Sequence, residues 1–373
     1  MIRVCHFFDA SAGWEQRVAA SQLVSQLPDD GFDSRLAAVA PGISDTLGKI
    51  GKRIHVFATL PRLALMAAPI LARHVRKNRV NIVHAWGIEA AFVARAAGQT
   101  PFIVELFDPS LPAHQIKLLR TLARKKSFAV ICSCRTVYHR LLEGGVPQET
   151  CVVIRPGVDF AAINRHKDNG YRKDLSIGDD DFVVIVPEPV TRTGGQFDAF
   201  WAAKLTNIVD GNMKIIIPGE SPEQRRIVRF ARTLPEAEVL VAPGCRYPFE
   251  RLLTGADALV VAATSDISTT AISWAMASNV PVIASTVHSV AELISHGENG
   301  LLFERNPGET PAAAIAQLLR DRSRLAQAEE VASRQAYRVF GLRRYLEQHM
   351  QVYDNVLAGT AAGQGIIDFA LAE

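Results

Sequence analysis

The chain has 373 residues, 48% of them hydrophobic and 21% charged, which excludes disorder and predicts two domains, each able to bury a full core. Its formal net charge of +3 hides an asymmetry, because residues 1–165 hold 21 Lys and Arg against 12 Asp and Glu and the remainder 20 against 26. Five cysteines, an odd number without zinc-ligand spacing, predict a reduced, cytoplasmic chain with no metal site.

In chain order, strand and helix patterns alternate. IRVCHFFD reads as a strand, followed by a loop with Ser11 and Gly13 and an amphipathic run, EQRVAASQLVSQL. DSRLAAVA is a second strand and HVFATL a third, before a helix in PRLALMAAPILARHVRKN with Pro61 at its start. NIVHAW, PFIVELF, FAVICSC and CVVIRPGVD are further strands, separated by the helical patterns IEAAFVARAAG, QIKLLRTLARKK and RTVYHRLLEGG. Residues 161–180 are polar and read as a linker. The alternation then restarts with DFVVIVPEP and continues through MKIIIPGE, EVLVAP, DALVVAAT, PVIAST and LLFE. Short apolar strands alternating with helices predict a parallel, doubly wound sheet in each half, with ligands at the carboxyl ends of the strands and a cleft between the halves. The expected division is 1–165, 175–340, and a terminal helix in 341–373 that packs back on the first domain. No leader is expected from the first residues, which run straight into a strand. The longest apolar helical stretch, Leu63–Ala72, is about half a membrane span.

The basic excess of the first half gathers at Arg73, Arg76, Lys77 and Arg79, and at Lys117, Arg120, Arg124, Lys125 and Lys126. These segments read either as two solvated helix faces or as a surface for anionic lipid or an anionic acceptor. Nucleic acid is disfavoured as a partner, since no aromatics are interleaved to stack on bases. A cytoplasmic protein, peripheral at the inner membrane face if the second reading holds, is the expectation.

One segment, GADALVVAATSDISTTAISWAMASNVPVIASTVHSVAELISHGENGLLF, resembles the signature of family-four glycosyltransferases of the GT-B build. Ala275–Ala277, Asn279–Ser285, Ala291–Ile294 and Asn299–Phe303 match that frame. VICSCRTVYHRLLEGGVPQETCVVIRPGVD and NIVHAWGIEAAFVARAAGQTPFIV are similar to the family's N-terminal domain. The resemblance implies two Rossmann-like domains facing a cleft. It also implies retaining transfer of a sugar from a nucleoside-diphosphate donor, held by the C-terminal domain, to an acceptor (a glycan or lipid-linked molecule) at the N-terminal one. No metal or other cofactor is expected.

Carried over position by position, the resemblance places the family's two glutamates at Asp266 and Trp274. Asp266 keeps the charge on a shorter arm and is the catalytic candidate. Trp274 has only an indole N–H to offer and would stack on a base, fill the pocket, or simply lie in the core. DISTT, Asp266–Thr270, stands at a helix start where Ser268, Thr269 and Thr270 would meet the donor's diphosphate, or where Asp or Ser merely caps the helix. The family's arginine and lysine fall on Pro189 and Gly194, with Arg192 between them as a substitute charge or an exposed loop residue. Gly13 matches one of two family glycines that let the backbone approach donor phosphate; a turn glycine is the equal alternative. The acceptor-domain histidine position reads Phe107, followed by Asp108. His84 matches another common family histidine, or is a packed strand-end residue. Asp108 and His84 are the acceptor-side candidates.

With so many positions exchanged, three functions stand: an active transferase with an altered donor pocket, a catalytically silent GT-B protein acting as a binding or partner module, and a sugar-nucleotide epimerase of the same build.

Overall fold

A computed structural model describes residues 1–9, 12–39, 54–56, 66–98, 101–124, 127–165, 170–235, 237–306 and 310–366. Lys125 and Lys126, and the start of the third strand's helix at Pro61, lie outside them. The chain divides into two compact units, Met1–Gly157 with Leu342–Phe369, and Val158–Gly341 with Ala370–Glu373.

In the first unit the strands are β1 (Ile2–Phe8), β2 (Phe32–Ala38), β3 (Ile54–Val56), β4 (Ile82–Trp86), β5 (Phe102–Leu106), β6 (Phe128–Cys132) and β7 (Cys151–Val153). They form one parallel sheet in the order β3-β2-β1-β4-β5-β6-β7. Side chains alternate between two cores, as a strand period of two requires. Phe7, Val83, Ala85 and Val104 enter one core, while Val4, Phe8, Ile82, Trp86 and Ile103 enter the other. Both faces are covered, which explains why β4, β5 and β6 are buried along their whole length.

The terminal helix Leu342–Ala358 completes the second of these cores with Tyr345, Val352, Tyr353 and Val356. Separations of seven, one and three residues keep those positions on one face, the stripe that docks a helix on a sheet. Arg344 donates to the Arg155 carbonyl at 2.7 Å. A Cβ on Gly157 would lie 2.6 Å from the Tyr345 side chain, so glycine permits that approach.

The second unit contains β8 (Phe182–Ile185), β9 (Met213–Pro218), β10 (Leu240–Gly244), β11 (Ala258–Val261), β12 (Val282–Ser285) and β13 (Leu301–Phe303). Its parallel order is β10-β9-β8-β11-β12-β13. The chain winds from β8 outward to β10, then returns to β11 on β8's other side. The order therefore reverses between β8 and β11, where open sheets of this kind leave a crevice at the strands' carboxyl ends.

The described part of 161–180, read above as the linker, lies within the second unit. Two short helices, Phe160–Arg165 and Gly170–Asp174, occupy the described part. Tyr171 is 1% exposed and donates to the Leu252 carbonyl at 2.9 Å. Arg172 meets Asp257 at 2.7 Å. Polarity misled the reading because these polar groups reach partners far along the chain. Val158, which donates to the Phe340 carbonyl at 2.7 Å, already belongs to the second unit.

Arg73, Arg76, Lys77, Arg79, Lys117, Arg120 and Arg124 are all exposed. Among the described residues no helix is long and apolar enough to cross a membrane.

Candidate functional site

The crevice of the second unit is built by the loops that follow β8 and β11. After β11 the chain runs through Asp266 and Ser268 into the helix Thr270–Ala277, every residue of which is buried. The first N–H groups of a helix have no partner within it, so this end presents donors and a positive dipole. Thr270 N donates to Ser268 Oγ at 3.3 Å, and the two hydroxyls are 3.1 Å apart. Thr269 is 1% exposed, and its Oγ1 is buried without a hydrogen-bond partner. An unsatisfied buried hydroxyl beside a helix start is a group waiting for a ligand atom or water.

Asp266 is tied to the next loop. Its Oδ1 accepts from Ser289 N at 2.8 Å, and Ser289 Oγ accepts from Ile267 N at 3.0 Å. His288 Nδ1 stands 3.6 Å from Oδ2. The reciprocal pair couples the loops after β11 and β12 and fixes the carboxylate, which stays 28% exposed. Trp274 is 3% exposed, in a helix without exposed positions.

The loop after β8 crosses close to β11. Gly195 has φ of 69°, and a Cβ there would fall 1.6 Å from the Ala262 carbonyl oxygen; only glycine fits. A Cβ on Gly194 would fall 2.3 Å from Gln196 Oε1. The buried Gln196 amide donates to the Pro187 carbonyl at 3.2 Å, while its Oε1 is unpartnered. Gln196 thus occupies the space a lysine at 194 would enter.

Two arginines lie at this end of the sheet, and both are engaged. Arg192, 84% exposed, points to Glu223 at 2.9 Å, and this contact holds the Glu223 carboxyl below its ordinary range. Arg305 bridges the Ala262 carbonyl at 3.0 Å and Asp198 at 2.8 Å. Arg305 and Gln196 carry no local motif, and the part Gly195 plays is set by its approach to Ala262 in space.

The remaining candidates belong to the first unit. Gly13 precedes the helix Trp14–Gln26 with φ of −78°, which any residue adopts, and its N–H is taken by Gln16 Oε1 at 2.9 Å. Asp108 is exposed beyond β5 and accepts from Ser110 N at 2.8 Å, closing a turn. His84 is fully buried, which places it in the core rather than on an acceptor surface. Its Nδ1 meets Tyr353 Oη at 2.9 Å and its Nε2 meets Glu105 Oε2 at 3.2 Å.

Glu105 also bonds His349 Nε2 at 3.0 Å and accepts from Tyr345 Oη at 3.0 Å. Burial by itself raises the Glu105 carboxyl, but the His349 and His84 contacts outweigh it and hold the group at about 2. Burial lowers His84, against the pull of Glu105. Tyr345 and His349 are hydrogen-bonded to the Glu105 carboxylate, while His84 Nε2 stands 3.2 Å from it without forming a hydrogen bond. His84, Glu105 and His349 are also the described residues whose ligand atoms stand close enough to hold a metal ion. Two signals for this cluster were available: a lone glutamate in the apolar run PFIVELF, and Tyr345, His349 and Tyr353 spaced four apart.

Residues 16–162 match the family described as Glycosyltransferase Family 4, and residues 168–336 match Glycosyl transferases group 1. N-acetyl-alpha-D-glucosaminyl L-malate synthase of Bacillus anthracis is 26% identical over 162 residues, covering 43% of this chain and 42% of that protein. The chain thus matches under half of that curated relative's length. Among solved structures, Anabaena HepE in complex with UDP-glucose superposes with a TM-score of 0.78 at 18% identity, covering 96% of this chain and 100% of HepE. A glycosyltransferase from Rickettsia africae gives 0.73 at 16% identity, covering 95% and 98%. A putative UDP-N-acetylglucosamine 2-epimerase from Listeria monocytogenes gives 0.68 at 14%, covering 99% of each chain. At these identities the likeness shows a shared fold.

Proposed function

We propose that this chain, which belongs to the group 1, family-four glycosyltransferases of the GT-B build, moves a sugar from a nucleoside-diphosphate donor to an acceptor. The donor's diphosphate would lie at the start of the helix Thr270–Ala277. The observation that carries this reading is Thr269 Oγ1, buried and unpartnered at the start of that helix, by the sheet's reversal point. Asp266, held by Ser289, would face the sugar. Trp274 would close the nucleotide side, and Arg192 would turn from Glu223 to the leaving diphosphate. UDP is the first nucleotide to test, since HepE is described in complex with UDP and with UDP-glucose. Retention of anomeric configuration and an acceptor held by the first unit, with Asp108 at its strand end, complete the proposal. Neither metal nor other cofactor enters it.

The opposite reading, a catalytically silent binding module, has one specific support. Gln196 fills the space of the missing lysine, and Arg192 and Arg305 are each bound to a carboxylate. Without fixed positive charge, departure of a diphosphate loses several kcal/mol of stabilisation, roughly 3–4 by analogy with an oxyanion donor.

Thermal-shift titration with UDP, GDP, ADP and their sugar conjugates separates the two. A ligand at 100 times its dissociation constant stabilises the folded protein by about 2.7 kcal/mol. A shift with one nucleotide class supports the transferase and names its donor. Folded protein that shifts with none of them overturns it.

A further inference from the structure

The second unit carries an apolar stripe that its own core does not cover. On the helix Gln196–Asp210, Phe197 is 43% exposed and Ile208 69% exposed, with Trp201 and Leu205 half-buried between them. Their spacing of four, four and three residues puts them on one line along the helix. Phe230, from the neighbouring helix Pro222–Ala231, extends the stripe sideways. Its ring centroid is 5.3 Å from Phe197 and 6.1 Å from Trp201.

Beside the aromatics runs a ridge of arginines. Arg225, Arg229 and Arg232 are exposed and recur at helical spacing. None of the three has an ion-pair partner among the described residues. They line a groove of about 480 Å³, together with Glu220 and the edge strand β10.

We propose that this face docks on an anionic phospholipid bilayer. Phe197, Trp201, Ile208 and Phe230 enter the boundary between headgroups and acyl chains, and the arginines hold phosphate groups at the level above. Interfacial segments combine apolar and aromatic anchors with basic residues in this way, and anionic leaflets reward each added cation. A second copy of the chain is the weaker occupant. A two-fold contact centred here would set one arginine ridge against its like, with Glu220 alone among the groove's residues to oppose it. The proposal is independent of donor binding and rests on neither reading above.

Trp201 makes the test direct. The other tryptophans, Trp14, Trp86 and Trp274, are each no more than 4% exposed. The full-length protein is mixed with vesicles of phosphatidylcholine alone, and of phosphatidylcholine with 30% phosphatidylglycerol, and both sedimentation and tryptophan emission are followed. Binding to the anionic vesicles only, lost in high salt, with quenching by acyl-brominated lipid that disappears in Trp201→Phe, is the expected result. Arg225→Glu/Arg229→Glu/Arg232→Glu, all surface changes, weakens binding at least tenfold while the melting profile is kept. Absence of binding to either vesicle overturns the proposal. So does binding that the triple variant leaves unchanged, which would move the contact elsewhere. A dimer by light scattering that Trp201→Glu dissociates overturns it too.

Discussion

Glu105 on β5 and His349 on the terminal helix meet Oε2 to Nε2 at 3.0 Å, with neither side chain more than 1% exposed. His349 Nδ1 lies 2.8 Å from the Tyr345 carbonyl, which can only accept. The imidazole thus lies between two acceptors, the Glu105 carboxylate and that carbonyl, and Glu105 and His349 form a buried pair. That pair joins the last helix of the chain to a central strand of the first unit.

Removing one member of such a buried pair leaves the other's polar atoms without a partner. Glu105→Ala should destabilise the first unit by about 3–5 kcal/mol. Glu105→Leu with His349→Leu should recover much of that loss, because no buried charge remains. Urea unfolding followed by near-ultraviolet circular dichroism checks both.

The same cluster sets an acid limit. Glu105 lies at about 2 in the folded chain, below its unfolded value of about 4.3. Its contribution is fully present above about pH 4.3 and is lost as pH falls toward 2. His84, lowered by burial, adds a slope of the same sign, since the unfolded chain gains that proton below about pH 6.5. Melting temperature should therefore fall from pH 7 to pH 4 and fall further below it. Glu105→Gln should flatten the lower part of that profile.

At Gly195 a methyl group has nowhere to go. Gly195→Ala combines φ of 69° with a contact of 1.6 Å to the Ala262 carbonyl. The left-handed conformation alone costs about 1–2 kcal/mol for an L-residue, and relieving the contact must separate the loops after β8 and β11. The second unit should lose at least that much stability. Gly211→Ala, also at positive φ but with open space around it, should lose only the conformational part.

Thr269→Val keeps the shape and removes a hydroxyl that bonds nothing in the protein. Stability should stay within about 0.5 kcal/mol, while affinity for the nucleotide sugar falls roughly tenfold or more, the value of one hydrogen bond to a charged group. Calorimetric titration beside a thermal melt separates the two effects. Equal affinity would remove Thr269 from the donor site.

Asp266→Ala frees Ser289 N and the loop after β12, at about 1–2 kcal/mol of stability. In a transferase it should also lower turnover by at least about a hundredfold. Asp266→Asn, whose carbonyl can still accept from Ser289, should keep the stability and lose the turnover. Turnover left unchanged by both would exclude a catalytic carboxylate at this position.

The alternation of short apolar runs with amphipathic ones was enough to read two parallel α/β sheets, because both faces of each strand must be buried and that requirement is local. The helix start at Thr270 and the docking stripe of the terminal helix were legible for the same reason, as periodic patterns within one segment. The linker reading of 161–180 failed where composition was asked to report contacts. Tyr171 and Arg172 find Leu252 and Asp257 some eighty positions away, and nothing in the segment announces them. His84 was visible as a strand-end histidine, but its enclosure by Glu105, His349 and Tyr353 is decided by a helix that arrives from the other end of the chain. Likewise Gln196 fills the place of a lysine only because Gly194 and Gly195 let two loops meet. Sequence by itself determined the elements and their order, since burial and periodicity act over a few residues; the pairing of charges and the occupancy of the crevice were decided by tertiary structure, since Coulomb contact and steric exclusion depend on distance in space.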